Sequence, residues 1–547
     1  WQPKFYNPDH FLQLQGSFQI TTGNNTSQGM GVTNLPSGDI VDATVYGYST
    51  GISSSRYAYR SNALTFRSHY TYKGRYILGA TFRRDGSTKF GEKYKYGNFP
   101  GISAKWIITD EHFMQSTKKW LSMLAIRPSW GITGNQPDEE YLHFSRYSPY
   151  GSYIDLPATR PTTLQLADLR WEKSTSFNLG FDLGLFNDRM VFDLNFYNKR
   201  TEDLLFENLR VPSSSGFYDV AWQNVGTMDN NGWELNFYSA QAIRARDFSV
   251  DFNFNLSNYV NTIVELRDDI LANYNGDYDY TNGTYLSRIQ EGNPFGSIYG
   301  FRYKGVYQYN DYVPDVQENA PVARDENGYV FTDEEGNPLP MYFAYGKSNE
   351  YRFRGGDAIY EDINSDGNID ELDIVYLGNS NPKLNGGFGS TLRYKNFSVT
   401  AFFNFRYGNK IVNIARMNAE NMYYLNNQSI SVNWRWRKDG DVTEMPRALY
   451  NYGYNWLGSD RYVEDGSFLR MKYLTFNYAI PKAKLDNLKL QQVSFYLTIN
   501  NLFVLTKYTG VDPEVGYDDP NGLFGVSVDR SPTPRSKDAT LGISVTF

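Results

Sequence analysis

The feature that most constrains this chain is a period of two. In Phe177, Leu179, Phe181, Leu183 and Leu185 an apolar residue takes every second position, with Asn178, Gly180, Asp182 and Gly184 between them. Phe248, Val250, Phe252, Phe254 and Leu256 alternate in the same way with Ser249, Asp251, Asn253, Asn255 and Ser257. Successive side chains of a β-strand point to opposite faces, so each run builds one apolar and one polar face. The pattern recurs in Leu64, Phe66, Tyr70 and Tyr72 against Thr65, Arg67, His69 and Thr71. It recurs again in Met190, Phe192, Leu194 and Phe196 against Asp193 and Asn195, and at the end in Leu541, Ile543, Val545 and Phe547. About 14 such segments of about 10 residues are readable between residues 11 and 547, a length suited to a tilted strand crossing a bilayer. Helical periodicity is nearly absent, and short helices are expected only near 110–124 and 411–423.

A soluble β-sandwich also alternates, but three details favour a membrane barrel. The runs exceed the usual five or six residues of globular strands. Aromatics gather at strand ends, Tyr70, Tyr72 and Tyr76 in one place and Trp434 and Trp436 in another, as in the girdles at membrane interfaces. The polar face carries Asp, Asn, Arg and Ser, which a dry core rejects and a wet lumen accepts. Composition fits this placement. Mean hydropathy is −0.56, and no apolar stretch is long enough for a membrane-spanning helix. Aromatics make up 17% of the 547 residues, including 46 Tyr, which argues against disorder. With 0 Cys there is no disulfide framework, thiolate metal site or cysteine nucleophile. A net charge of −7 with scattered Lys and Arg argues against a nucleic-acid partner.

Connections come in two lengths. Lys73-Gly74, Asn187-Asp188 and Lys395-Asn396 each join two alternating runs and read as hairpin turns. Long, Gly-, Asn-, Asp- and Tyr-rich connections are expected at 21–60, 135–170, 259–297, 305–384 and 408–466. Short turns at one end and long loops at the other are the habit of outer-membrane barrels. No separate domain boundary is visible within 1–547, and 305–384 reads as an extracellular loop region.

The sharpest local motif lies there. Asp362, Asn364, Asp366, Asp370 and Asp373 stand at positions 1, 3, 5, 9 and 12 of a calcium-loop spacing, with Gly367 at 6 and the Asn368 carbonyl available at 7. Carboxylates crowded into one loop repel one another unless a hard cation sits among them. The flanks, Ile359-Tyr360 and Val375-Tyr376-Leu377, read as strands, and Asp373 reaches less far than the usual Glu. Two readings stand: a loop stiffened by Ca²⁺, or a metal-free acidic turn. Enzyme signatures are weak. Gly47-Tyr48-Ser49-Thr50-Gly51 has the nucleophile-elbow spelling but no strand-turn-helix around it. His10, His69, His112 and His143 lack metal-ligand spacing. No residue is nominated as catalytic. Tyr274, Tyr278, Tyr280, Tyr285, Tyr423, Tyr424 and Trp456 are expected to pack loops together, with stacking on sugar rings or contact with a partner as the alternative.

Several segments resemble the SusC/RagA family of TonB-dependent outer-membrane transporters. They are Tyr76 through Gly91, Phe99 through Trp106, Trp130-Gly131-Ile132-Thr133-Gly134-Asn135-Gln136, Asn224 through Met228, Gly232-Trp233-Glu234-Leu235 and Gly356-Asp357. The C-terminal set is the most specific: Glu464 through Arg470, Asn500-Asn501-Leu502-Phe503, Tyr508 through Glu514, and a terminal Phe547. The resemblance implies a partial, C-terminal portion of a large plugged barrel, its N-terminal plug and first strands lying outside this chain. It also implies energy-coupled import of an oligosaccharide or peptide, a SusD-like surface lipoprotein as lid, and TonB contact through the N-terminal part. Inward polar residues such as Arg67, Asp182, Asp193, Asn195 and Asn253 would line the passage. A soluble glycan-binding protein or glycosidase, and a surface adhesin or secretion barrel, are the alternatives from other classes.

Overall fold

The computed structural model describes all residues except 4, 6, 35–36, 38–47, 218, 269–284, 286–289, 345–350, 486–489 and 519–525. Fourteen long strands carry the alternating segments. They are β1 (His10–Thr33), β2 (Tyr48–Tyr72), β3 (Tyr76–Ser87), β4 (Tyr96–Ile107), β5 (Leu121–Asn135), β6 (Glu172–Leu185) and β7 (Met190–Glu202). The series continues with β8 (Gly226–Ala245), β9 (Phe248–Leu266), β10 (Leu384–Tyr394), β11 (Phe397–Tyr407), β12 (Phe468–Ala479), β13 (Gln492–Asn500) and β14 (Asp538–Thr546). They hydrogen-bond in chain order from β1 to β14, the up-and-down order of an antiparallel barrel wall. Among the described residues no helix is long and apolar enough to cross a membrane.

Register turns the alternation of single strands into continuous faces. Across β1 to β4, Gly16, Phe66, Phe82 and Pro100 stand opposite one another. One position along, Gln15, Arg67, Thr81 and Gly101 do the same, and Gly101 continues to Gly131 in β5. A slip of one residue would exchange the two faces, so apolar rows paired with apolar rows fix the register. The apolar rows are uncovered: Phe66 is 53% exposed, Ile102 60% and Leu541 77%. Against lipid tails such rows are solvent-matched, whereas in water they would form an aggregation-prone patch.

The turns fall where their chemistry requires. Lys73 and Gly74 have φ of 52° and 69° between β2 and β3, and Asn187 and Asp188 have 59° and 58° between β6 and β7. Two expectations need correction. The connection expected at 21–60 is mostly strand, because β1 runs to Thr33 and β2 starts at Tyr48; Thr21 to Gly31 are paired with Ser61 to Gly51. Alternation stops after Ile20 since both faces of these arms are polar, so nothing periodic marks them. The helix expected near 110–124 is a pair of 3₁₀ turns, Ile108–Asp110 and His112–Thr117, before β5 takes up Leu121. Phe113 is 67% exposed there, so no apolar stripe supports further turns. The second helix forms as α1 (Ile414–Glu420), its N-cap Asn413 accepting from the Arg416 N–H.

The chain divides into two compact units. Trp1–Gln115, Ala125–Leu179 and Asn198–Met228 form the first; Ser116–Leu124, Gly180–Tyr197 and Asp229–Phe547 form the second. The first has a small core of Phe90, Phe99, Leu142, Leu169 and Trp171. In the second, the segments between long strands build a core of their own from Tyr299, Phe301, Phe343, Tyr351, Phe353, Tyr360 and Leu457, among others. Short ladders tie it together: Ser297–Gly300 with Val375–Asn379, Tyr303–Val306 with Ala358–Tyr360, and Tyr342–Phe343 between Tyr351–Arg352 and Asn368–Ile369. The region expected as a long loop at 305–384 is thus a folded insertion.

Candidate functional site

In the first unit two cavities open on the polar face of the wall strands, lined in part by side chains the alternation singled out. One cavity of about 570 Å³ is lined by Thr65, Arg67, Thr81, Arg83, Asp85 and Trp171, among others. A second of about 400 Å³, lined by Gln13, Gln15, His69 and Ser103, shares Arg67 and Thr81 with it. The Arg83 guanidinium grips Asp85 through both oxygens at 2.6 and 2.8 Å. Glycines shape this face. A Cβ on Gly97 or Gly134 would stand 2.4 or 2.2 Å from the Phe99 ring, so only hydrogen there leaves room for Phe99, which meets Trp171 edge to face at 5.5 Å. The Trp171 indole nitrogen and the Gln136 carbonyl oxygen are buried without a hydrogen-bond partner.

At the turn end of the same strands the expected aromatic girdle forms. The rings of Tyr72 and Tyr76 stack at 6.1 Å, and those of Tyr76 and Trp106 at 6.4 Å. Beside them Glu111 accepts hydrogen bonds from the Tyr76 hydroxyl, from Trp106 Nε1 at 3.0 Å and from Arg75 at 2.7 Å. The Tyr76 bond first, then the Trp106 bond, hold its carboxyl below the usual range. Trp434 and Trp436 belong to no girdle. They sit in and after a 3₁₀ turn, Ile430–Trp434, with Trp434 76% exposed and Trp436 buried.

The acidic motif folds into a compact segment between the two expected strands, with Asn368–Ile369 as a short strand and Glu371–Asp373 as a 3₁₀ turn inside it. Asp362 accepts from the N–H groups of Asp366 and Gly367 at 3.2 and 2.8 Å, Asp366 from Asn368 at 2.9 Å, and Asp370 from Leu372 at 2.7 Å. Asp373, fully buried, accepts from Ile363 at 2.7 Å and Asp370 at 2.9 Å. Gly367 takes φ +89°, a left-handed conformation, and a Cβ there would stand 2.8 Å from the Ala323 Cβ. Burial pushes the Asp373 carboxyl up to about 6, and raises Asp362 and Asp370 as well. Among the described residues no group of three or more acidic or His side chains is already arranged around a common point.

Two ion-pair centres in the second unit join segments that the sequence separates widely. Asp357, wholly buried, takes Nε and Nη2 of Arg447 at 2.6 and 3.0 Å, the Tyr351 hydroxyl at 2.7 Å and the Arg354 N–H at 2.9 Å. Arg470 meets Asp512 at 2.5 Å and Glu514 at 2.6 Å, both from the segment carrying Tyr508 to Glu514. Glu464 likewise takes the Thr509 N–H at 2.9 Å. Two motifs read separately in the sequence are therefore one structural joint. Arg447, ninety residues from its partner, and Trp171 carried no signal in the sequence.

The remaining residues singled out that the structure describes make ordinary packing and hydrogen-bond contacts. Tyr274, Tyr278 and Tyr280 lie outside the described residues. Tyr285 donates to the Ser459 carbonyl at 2.8 Å, Tyr423 and Tyr424 pack edge to face at 4.9 Å, and Trp456 is 1% exposed. Gly47 lies outside the described residues, and Tyr48 to Gly51 are strand, which no nucleophile elbow permits. His10 meets the Tyr70 hydroxyl at 2.7 Å and His69 the Thr71 hydroxyl at 3.2 Å. His112 lies in a 3₁₀ turn and His143 against the Phe144 ring at 4.1 Å.

Comparison with known proteins agrees with this architecture. A family model for the TonB dependent receptor-like β-barrel matches residues 2–333. TonB-dependent receptor P39 of Formosa agariphila is 31% identical over 91% of this chain and 47% of its own length. TonB-dependent receptor SusC of Bacteroides thetaiotaomicron is 26% identical over 90% of this chain and 44% of its own. The chain spans about half the length of these relatives. Among solved structures, the RagAB peptide importer in its closed-closed state matches with a TM-score of 0.76 at 22% identity, over 100% of this chain and 54% of the other. The relatives carry the names of TonB-dependent receptors, and the solved structure that of a peptide importer. The chain belongs to the TonB-dependent receptor-like β-barrel family.

Proposed function

We propose that this chain supplies barrel wall and external loops to an energy-coupled importer of an oligosaccharide or peptide nutrient across the outer membrane. The single observation that carries the reading is the two-faced wall, apolar toward lipid and polar toward a cavity-bearing interior, in a chain of this family. The SusC and RagAB likenesses support the cargo classes and a SusD-like lipoprotein over the mouth, with TonB acting through a part of the protein not in this chain. The folded insertion holding residues 305–384 would meet that lid. Uptake of labelled nutrient by cells producing the protein tests this. Uptake should fall to background when TonB is deleted, and TonB-independent uptake would refute the coupling.

We further propose, as the second reading, that the turn from Asp362 to Asp373 takes Ca²⁺. Oxygen ligands would come from Asp362, Asn364, Asp366, the Asn368 carbonyl, Asp370 and Asp373, and the ion would neutralise carboxylates that burial makes costly. Calorimetric titration of chelator-treated protein should give a binding heat that Asp366→Ala removes. No heat in the wild type leaves a metal-free acidic turn.

A further inference from the structure

The chain carries a net charge of −7, yet the five strands of the first unit's wall are strongly cationic. Across β1 to β5 stand Arg56, Arg60, Arg67, Arg83, Arg84, Lys105 and Arg127, and the sole acidic residue is Asp85. Asp85 is committed, held through both oxygens by Arg83. Arg67 differs from the unit's other inward cations. It stands on the polar face opposite Gln15 and Thr81 and is exposed, and among the described residues its guanidinium has neither an ion pair nor a hydrogen-bond partner. It lines both cavities of that face, at the place where they share lining. The surroundings are hydrogen-bonding rather than charged: the hydroxyls of Thr65 and Thr81, the amides of Gln13 and Gln15, and His69. An exposed guanidinium with five donors and no acceptor, in a recess without a free carboxylate, selects an anion and offers it bidentate geometry.

We propose that the wall around Arg67 is a cargo subsite that takes a carboxylate borne on a polar, hydrogen-bonding body. The proposal rests on the import reading above and narrows it to anionic cargo. An acidic oligosaccharide and an acidic peptide share this chemistry, and the experiment separates them. Along an import path such a subsite also draws anions toward the wall, against the net negative charge of the chain as a whole.

The test uses the full-length receptor, purified in detergent from the outer membrane with its associated lipoprotein. It is titrated with an oligouronate, an acidic peptide and a neutral oligosaccharide of matched length. One of the two anionic probes should bind, and Arg67→Gln should weaken it by about 10- to 100-fold in Kd. Arg67→Lys, which keeps the charge but loses the planar fork, should recover only part of the affinity lost in Arg67→Gln. Rising salt should weaken the wild type more than Arg67→Gln. Arg393→Gln, which breaks an ion pair with Asp251, is the control and should leave binding unchanged. Heat-modifiable mobility shows that each variant is folded. A change of less than twofold in folded Arg67→Gln overturns the proposal. So does a neutral probe that binds as tightly as the anionic ones and loses as much. Import of the neutral probe alone refutes the anionic subsite and leaves the import reading standing; no uptake of any nutrient removes both.

Discussion

Arg447→Met is the most informative single substitution in the folded insertion. Asp357 has no exposed surface, and its carboxylate is held by two bonds from Arg447, one from Tyr351 and one from the Arg354 N–H. Methionine fills much of the volume but leaves a buried carboxylate with two neutral donors and no counter-charge. Breaking a buried pair in this way costs about 3–5 kcal/mol. The wall is held by its own ladders, so the loss should appear as local opening of the insertion rather than as unfolding of the barrel. At about 1.4 kcal/mol per tenfold, amide hydrogen exchange in residues 351–360 should accelerate by about 100- to several-thousand-fold. Exchange in β2 and β3 should be unchanged. The double variant Asp357→Asn, Arg447→Met removes the stranded charge and should recover at least half of the loss. An acceleration below about threefold in Arg447→Met would refute the reasoning, as would a double variant no better than the single.

Two further outcomes follow from other parts of the molecule. Phe66→Arg places a cation on the exposed apolar row and should destabilise the barrel by about 2–4 kcal/mol, whereas Thr65→Arg on the opposite face should be tolerated; equal effects in chemical unfolding from lipid vesicles would contradict the assignment of faces. Burial raises Asp373 to about 6 from an unfolded value near 4, so the metal-free insertion holds its proton more tightly when folded. The contribution of Asp373, read as the stability difference between wild type and Asp373→Asn, should therefore be most favourable below about pH 4, fall by at most about 3 kcal/mol as pH rises to about 6, and stay level above. Calcium should abolish that slope, and a stability that rises over the same interval would show the sign to be wrong.

The strands were legible because lipid on one side and water on the other impose a strict period of two, as Phe66, Phe82 and Ile102 still show in the folded wall. Where that contrast ends, the reading ends as well. Thr21 to Gly31 and their partners are strand without alternation, since water meets both faces. The insertion was illegible for a different reason: its strands are two to five residues long, and its core is built from tyrosines whose hydroxyls find partners inside. Tyr360, for example, donates to the Tyr454 carbonyl at 3.1 Å and accepts from the Leu457 N–H at 3.1 Å. The acidic turn was found from spacing alone because its residues are adjacent in the chain. The Asp357–Arg447 pair could not be, because its members meet only after folding.

The first hairpin has a consequence of its own. At about 3.4 Å per residue, the 24 residues of β1 extend for about 80 Å, while only about 9–11 residues are needed to cross the hydrocarbon. One strand is thus two materials joined end to end. Its first half is shielded by lipid and pinned by apolar side chains. Its second half, rich in Gly, Ser, Thr and Asn, is held mainly by the backbone ladder, with a few side-chain bonds such as that of the Ser53 hydroxyl to the Gly29 carbonyl at 3.4 Å. Such a ribbon should open from its tip downward, as a graded zipper whose last closed rung marks the membrane surface.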